Sequence, residues 1–187
     1  MPKLWNDTIE EHRRTVHAAI LDAAARLVAQ HGLASVTMTQ VAQSAGIGRA
    51  TLYKYFPDVE AVMIAWHERQ VTRHLHHLTT VGLNADGPER RLHAVLHAYA
   101  AIQYEHRGHP LAALLHHGPH MVDARKHLCD FLADLLTEAA AAGRVRREVP
   151  PTELAAYCLH ALDAATELST KAAVERLVAT TISGLRP

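Results

Sequence analysis

The chain has 187 residues, 49% hydrophobic, 20% charged and only 5% aromatic, with a formal net charge of zero when histidine is neutral. This is ordinary globular composition, enough for one large domain or two small ones, and the excess of Ala and Leu over aromatics favours helices over a β-sandwich. A charge-balanced chain is no generic nucleic-acid coat. No apolar run reaches the ~20 residues of a membrane span, and MPKLWNDTIEEHRR lacks the apolar core of a signal peptide, so a cytoplasmic protein is expected.

Residues 1–8 read as an arm whose only cation is Lys3. A helix is expected from Thr8 to His31, with Val16, Ile20, Ala23, Ala24 and Leu27 on one apolar stripe. Thr37 followed by Gln40 fits a capping box at the start of a second, short helix, where Val41, Ala42 and Ala45 recur at helical spacing. Gly46 is placed to stop that helix and Ile47 to fill the bend. A third helix is expected from Arg49 to Phe56, because Pro57 disfavours helical geometry at the residue before it. Two short helices joined by a tight glycine turn, residues 37–56, make a helix-turn-helix, whose second helix enters the DNA major groove. The same pattern is also found in ordinary helical hairpins.

Asp58 is a good N-cap for a long helix to about Thr80, carrying Val62, Met63, Trp66 and Gln70 and then His74, His77 and Leu78. VGLNADGP, residues 81–88, is the clearest break in the chain. Pro88 opens a helix to about His106 with Leu92, Val95, Leu96, Tyr99 and Ile102 inward. Gly108 and Pro110 break it. A short helix, Leu111 to His117, and a long one, His120 to Ala142, follow, the second stopped at Gly143. Pro150-Pro151 opens the next, with Leu154, Tyr157, Cys158, Ala161, Leu162, Ala165 and Leu168 on one stripe. The last helix, Lys171 to Gly184, carries Val174, Leu177, Val178, Thr181 and Ile182. The expected fold is all-α with about nine helices, divided into a head, residues 1–57, and a C-terminal domain, residues 58–187. Cys129 and Cys158 both fall in helices and read as unpaired thiols.

The order Val41-Ala42-x-x-Ala45-Gly46-Ile47, then Thr51-Leu52-Tyr53-x-Tyr55-Phe56, strongly resembles the DNA-binding domain of TetR family transcriptional regulators. Ile20-Leu21-x-Ala23-Ala24-x-x-Leu27, Gly32 and Val36-Thr37 resemble that family's first helix and lead-in, and the likeness runs over roughly residues 13–65. Gly143-Arg144-Val145-Arg146, Pro151 and Glu153-Leu154-Ala155 are similar to the approach to the family's penultimate helix. Two positions depart from the pattern. Val59 stands where the family commonly has a phosphate-touching lysine, and Gly48 where it often has a serine N-cap.

Phosphate contacts position a protein on DNA, and contacts to base edges specify sequence. Arg49 is the best base reader, because a guanidinium bonds guanine O6 and N7 together, and Thr51 can pack on a thymine methyl or hydrogen-bond. Gly48, at the N-cap, and Ala50 complete the expected DNA-binding set, and the resemblance gives phosphate and groove-wall contacts to Tyr53, Lys54 and Tyr55 and has Thr37 and Thr39 clamp phosphate. Thr37 has an equally good role as a cap. Arg13 and Arg14 can touch phosphate in the same family, or sit on a solvated face with Glu10 and Glu11. Residues 1–56 hold six Lys or Arg against four acids, so affinity must come from placed charges and from doubling. A homodimer on a palindromic operator is therefore expected, with half-sites about 34–36 Å apart or a multiple of that. The dimer surface is assigned to the last two helices, at Leu154, Cys158, Ala161, Leu162, Ala165, Val174, Leu177, Val178, Thr181 and Ile182; the alternative is that these are core.

The resemblance also implies an apolar effector cavity among the helices that start near Asp58, Pro88, His120 and Pro151. Trp66, Gln70, Tyr99, Gln103, Phe131 and Tyr157 are placed near it, each with core packing as its alternative. The helix from Asp58 joins head and effector domain in that family. The chain carries no glycine-rich phosphate loop, nucleophile elbow or HExxH helix, so neither an enzyme nor a cofactor is expected. Of 16 histidines, 12 lie between His74 and His160, and His93 with His97, or His116, His117 and His120, have metal-ligand spacing without any dedicated signature. The leading reading is a repressor released from its operator by a small-molecule effector. A helical interaction module without DNA binding is the alternative, and a metal-dependent hydrolase stands last.

Overall fold

The computed structural model describes residues 3–106 and 119–187, which contain eight α-helices, two 3₁₀ turns and no strand. The all-α expectation therefore holds, with eight helices among the described residues against about nine expected for the chain. The expected helix Leu111–His117 lies outside the described residues. The chain divides into two compact units, Met1–Gln70 and Val71–Pro187, and each is described by itself.

In the first unit α1 runs Lys3–His31, so the helix starts five residues before the expected Thr8 and takes in most of the expected arm. No glycine or proline interrupts residues 3–31, and nothing in that stretch gives the helix a reason to begin later. Gly32, at φ 77°, ends α1, and a 3₁₀ turn, Leu33–Ser35, follows. Helix α2 is Met38–Ser44, opened by the expected capping box: the Gln40 amide donates to Thr37 Oγ1 at 3.4 Å and the Thr37 amide to Gln40 Oε1 at 2.8 Å. At the other end Gly46 N donates to the Gln43 carbonyl at 3.1 Å and Ile47 N to that of Ala42 at 3.0 Å. Those two bonds form a Schellman motif, and Gly46 takes the left-handed φ of 69° that it needs. Helix α3 is Arg49–Tyr55, and Phe56, before Pro57, is already extended at φ −142°. Ile20, Leu21, Ala24, Val41, Leu52 and Val62 are buried at the centre of this unit.

Asp58 Oδ1 accepts the Ala61 amide at 2.8 Å and caps α4, Val59–Leu83. This helix passes Thr80, so the break expected over 81–88 shrinks to the turn before Pro88. Gly82 lies within α4 because a neighbour needs the room: a Cβ there would stand 3.2 Å from Val95 Cγ2 and 3.4 Å from Phe131 Cζ. The second unit continues with α5, Pro88–Glu105, α6, Pro119–Ala141, α7, Pro151–Asp163, and α8, Lys171–Ser183. After α6, Arg147 donates from Nε to the Ala140 carbonyl at 2.8 Å and from a terminal nitrogen to that of Ala141 at 3.1 Å, which closes two orphan acceptors. The helix expected from Pro151 through Leu168 stops at Asp163 and gives way to a 3₁₀ turn, Ala164–Glu167, with Leu168 extended. Leu92, Leu96, Leu132, Leu136, Leu159 and Leu162 fill the core between α5, α6 and α7.

Candidate nucleic-acid interface

Helix α3 is short, and its residues sort cleanly by face. Leu52 is fully buried and Phe56 nearly so, which anchors the helix from beneath. Arg49, Ala50, Thr51, Tyr53 and Lys54 are exposed, with Tyr53 at 48%, and Tyr55 is half-buried. Arg49 and Lys54 make no ion pair among the described residues, so both cations are available to an anionic partner. Gly48 caps α3 from an extended conformation, and a Cβ there would meet only Thr51 Oγ1, at 3.9 Å. A side chain would fit at Gly48, so the glycine is not forced by space. Thr37 is exposed but its hydroxyl is engaged with Gln40, and Thr39 is half-buried beside it on α2. Arg13 pairs with Glu10 at 3.8 Å in an exposed i,i+3 contact, a weak tie that water and salt screen.

Sequence reading missed a cluster behind α3. His17 of α1 lies with its ring centroid 5.2 Å from that of Phe56 and 6.3 Å from that of Tyr55. Arg69 of α4 pairs with Asp22 of α1 and stands close enough to His17 to act on it electrostatically. Burial first, and the Arg69 charge second, hold the His17 imidazole below its usual range. The signal for this was a lone polar residue at the edge of the α1 apolar stripe, three before Ile20.

In the second unit the structure brings Tyr99 and Gln103 together on α5. The Tyr99 hydroxyl donates to Asp163 Oδ1 at 2.6 Å, and Gln103 Nε2 donates to the same oxygen at 2.8 Å and to the Tyr99 hydroxyl at 2.6 Å. Arg125 of α6 reaches Asp163 Oδ2 with both terminal nitrogens, at 3.2 and 3.3 Å. Burial and the Asp163 carboxylate push the Tyr99 hydroxyl up, so it stays protonated and donates. Asp163 and Arg125 were not foreseen. Asp163 is the last residue of α7, where a carboxylate opposes the helix dipole, and these donors offset that cost.

Phe131 is half-buried against Gly82, while Trp66 and Gln70, also half-buried, fall in the first unit. Tyr157 departs from the expected set. It is 44% exposed on the far side of α7, its hydroxyl 2.8 Å from where a Cβ on Gly184 would be. The residues expected at a dimer surface lie mostly inside the unit. Leu154, Cys158, Leu162, Ala165, Val174, Val178, Thr181 and Ile182 are buried inside the unit's own core, and Ala161 and Leu177 are half-buried. Their stripes face α5 and α6, and the opposite side is exposed: Tyr157 and His160 on α7, Ala164 just after it, and Ala172, Arg176, Ala179, Thr180 and Ser183 on α8. Cys129 and Cys158 are free thiols. No three His, Cys, Asp or Glu side chains converge as metal ligands among the described residues; His97 instead pairs with Glu175 at 3.3 Å. No helix among them is long and apolar enough to cross a membrane.

Family comparisons agree with this geometry. The model of bacterial regulatory proteins of the tetR family matches residues 20–65, and that of the SbtR-like transcriptional regulator C-terminal domain matches residues 87–187. An uncharacterised HTH-type transcriptional regulator of Mycobacterium tuberculosis (strain ATCC 25618 / H37Rv) is 49% identical over 63 residues, covering 33% of this chain and 31% of the relative. The HTH-type transcriptional repressor LfrR of Mycolicibacterium smegmatis is 32% identical over 76 residues, covering 41% and 36%. The chain thus spans less than half the length of these curated relatives. A crystal structure of a TetR/AcrR family regulator from Thermobifida fusca superposes with a TM-score of 0.77 at 20% identity, covering 91% of this chain and 98% of that one, and this shows the fold. With one family model on the helix-turn-helix and another over residues 87–187, more than half of the chain, the chain belongs to the TetR family of bacterial transcriptional regulators.

Proposed function

We propose that the chain is a sequence-specific DNA-binding transcriptional repressor of the cytoplasm, acting as a homodimer on a palindromic operator and released by a small-molecule effector. The observation that carries this is α3 itself. A buried Leu52 and Phe56 hold it from one side, and Arg49, Thr51, Tyr53 and Lys54 stand free on the other. A helix so presented reads base edges with Arg49 and Thr51, and fixes its register on phosphate with Tyr53, Lys54 and Tyr55. Similarity to LfrR favours repression.

One head contacts only a few base pairs, so dimerisation supplies the rest of the specificity. The outer face of α7 and α8 suits a second copy, because Ala172, Ala179 and Ser183, with Ala164 just past α7, let helices approach closely around Tyr157. For the effector, the hydrogen-bonded set Tyr99, Gln103, Asp163 and Arg125 is the polar end of the site, and Phe131 belongs to its apolar wall. Release is then linkage: the effector must bind better to the conformation whose heads no longer fit the half-sites.

The test is selection of duplexes from a random library with purified protein at a stated salt concentration. An enriched palindrome, bound at least about tenfold more weakly by Arg49→Ala, is the expected result, since one bidentate base contact is worth ~1–3 kcal/mol. No enrichment, from protein that is folded and dimeric by light scattering, would overturn the reading.

A further inference from the structure

We propose that His17 is a positioning residue for DNA reading, its ring seating Tyr55 and the last turn of α3 in the conformation that meets the operator. The inference rests on the DNA-binding reading above and goes beyond the residues assigned to it.

Helix α3 has seven residues, well below the roughly 12–15 that an isolated helix needs to persist in water, and its N-cap glycine offers no side chain. Its geometry is therefore imposed by what it packs on. Leu52 anchors the middle. At the C-terminal end the helix stops at once, because Phe56 is extended ahead of Pro57, and the Phe56 amide, bonded to the Leu52 carbonyl at 3.0 Å, closes the last turn. His17 meets both aromatic residues there, at 5.2 Å and 6.3 Å with ring planes tilted by 39° and 54°. Those separations lie in the range where aromatic rings attract beyond their buried area. Tyr55 is half-buried, one side toward this contact and the rest open, which is the arrangement a groove-wall contact requires.

The surroundings keep His17 a neutral wedge. The charged group that acts on it is Arg69 of α4, and the titratable ring in contact with it is Tyr55 of α3. Arg69 is in turn paired with Asp22 of α1. Arg69 Nε is buried without a hydrogen-bond partner among the described residues, so no acceptor lies within its reach. A positioning ligand of DNA-reading groups must be held to within about 0.5 Å, and a flat, uncharged ring fixed between two helices does that better than a mobile chain.

The test is a double-mutant cycle on the selected operator, read by fluorescence anisotropy at one salt concentration, with thermal unfolding of each variant alongside. His17→Ala is expected to weaken operator binding about tenfold, from the loss of two ring contacts. Tyr55→Ala should weaken it comparably, and the double variant should be no more than about twofold worse than Tyr55→Ala alone, since coupled residues are non-additive. His17→Phe, which keeps a ring, should bind within about threefold of the wild type. His17→Gln keeps polarity without the ring and carries the test if His17→Ala melts at the assay temperature; it should be weak. Unchanged affinity in His17→Ala or His17→Gln, multiplicative effects in the cycle, or a failure of His17→Phe to rescue would each overturn the proposal. If the wild type itself selects no duplex, the DNA reading falls and takes this one with it. If the wild type binds and the cycle multiplies, only this one falls.

Discussion

Single residues decide how strongly the head can hold DNA. Val59, the first residue of α4, is half-buried where a lysine would reach a phosphate in the resembling pattern. Val59→Lys should add one phosphate contact, tightening operator and non-specific duplex alike and steepening the slope of log affinity against log salt by about one unit. An unchanged slope would place the start of α4 away from the backbone. The exposed set on α3 was legible in the sequence, because exposure there follows from where Leu52 and Phe56 must point. His17 was not. A half-buried histidine at the edge of an apolar stripe looks like any solvated residue until a chain neighbour 38 or 39 positions away is folded onto it.

At the scale of elements, boundaries set by local chemistry were legible and those set by tertiary contact were not. The Thr37–Gln40 box and the Gly46 stop are local, and both appear where expected. Gly82 and Asp163 belong to the other kind. Read alone, Gly82 is a helix breaker, yet it sits inside α4 because Val95 and Phe131 occupy the space a side chain would need. Asp163 ends α7 early because its carboxylate is drawn to donors from α5 and α6. Gly82→Ala is a sharp test of that account. Helix propensity alone predicts a gain of about 1 kcal/mol. Against it stands overpacking of about 1–3 kcal/mol, and Val95 is fully buried with nowhere to go. A net loss of about 1 kcal/mol in urea unfolding is expected, and a clear gain would mean that α4 does not lie so close to α5.

For the molecule as a whole, pH offers a probe of both units at once. His17 in the first unit, and His74 and His93 in the second, all have imidazoles held below the usual range, burial being the largest cause in each. A second cause at His74 is the neighbouring His106, whose ring centroid is 5.0 Å away. A lowered folded value means that the unfolded chain takes up protons first. Stability is then fully present above about pH 6.5 and falls as the pH drops below it. Urea midpoints should be lower at pH 5.5 than at pH 7.5, and a midpoint that rises toward acid would contradict the burial of these rings. Two units with separate cores also give each transition its own set of histidines, so His74→Gln should flatten the acid loss of the second unit and leave that of the first.

The shortness of α3 has a consequence in hydrogen exchange. A seven-residue helix without a capping side chain cannot open by itself and leave Leu52 and Phe56 buried, because those two anchors are most of what holds it. The Phe56 amide, locked to the Leu52 carbonyl, should therefore exchange no faster than the slow amides around Ile20 and Leu21. The surface proposed to read DNA would then be as long-lived as the core beneath it, and a site that has to match a rigid duplex would search no conformations of its own before binding.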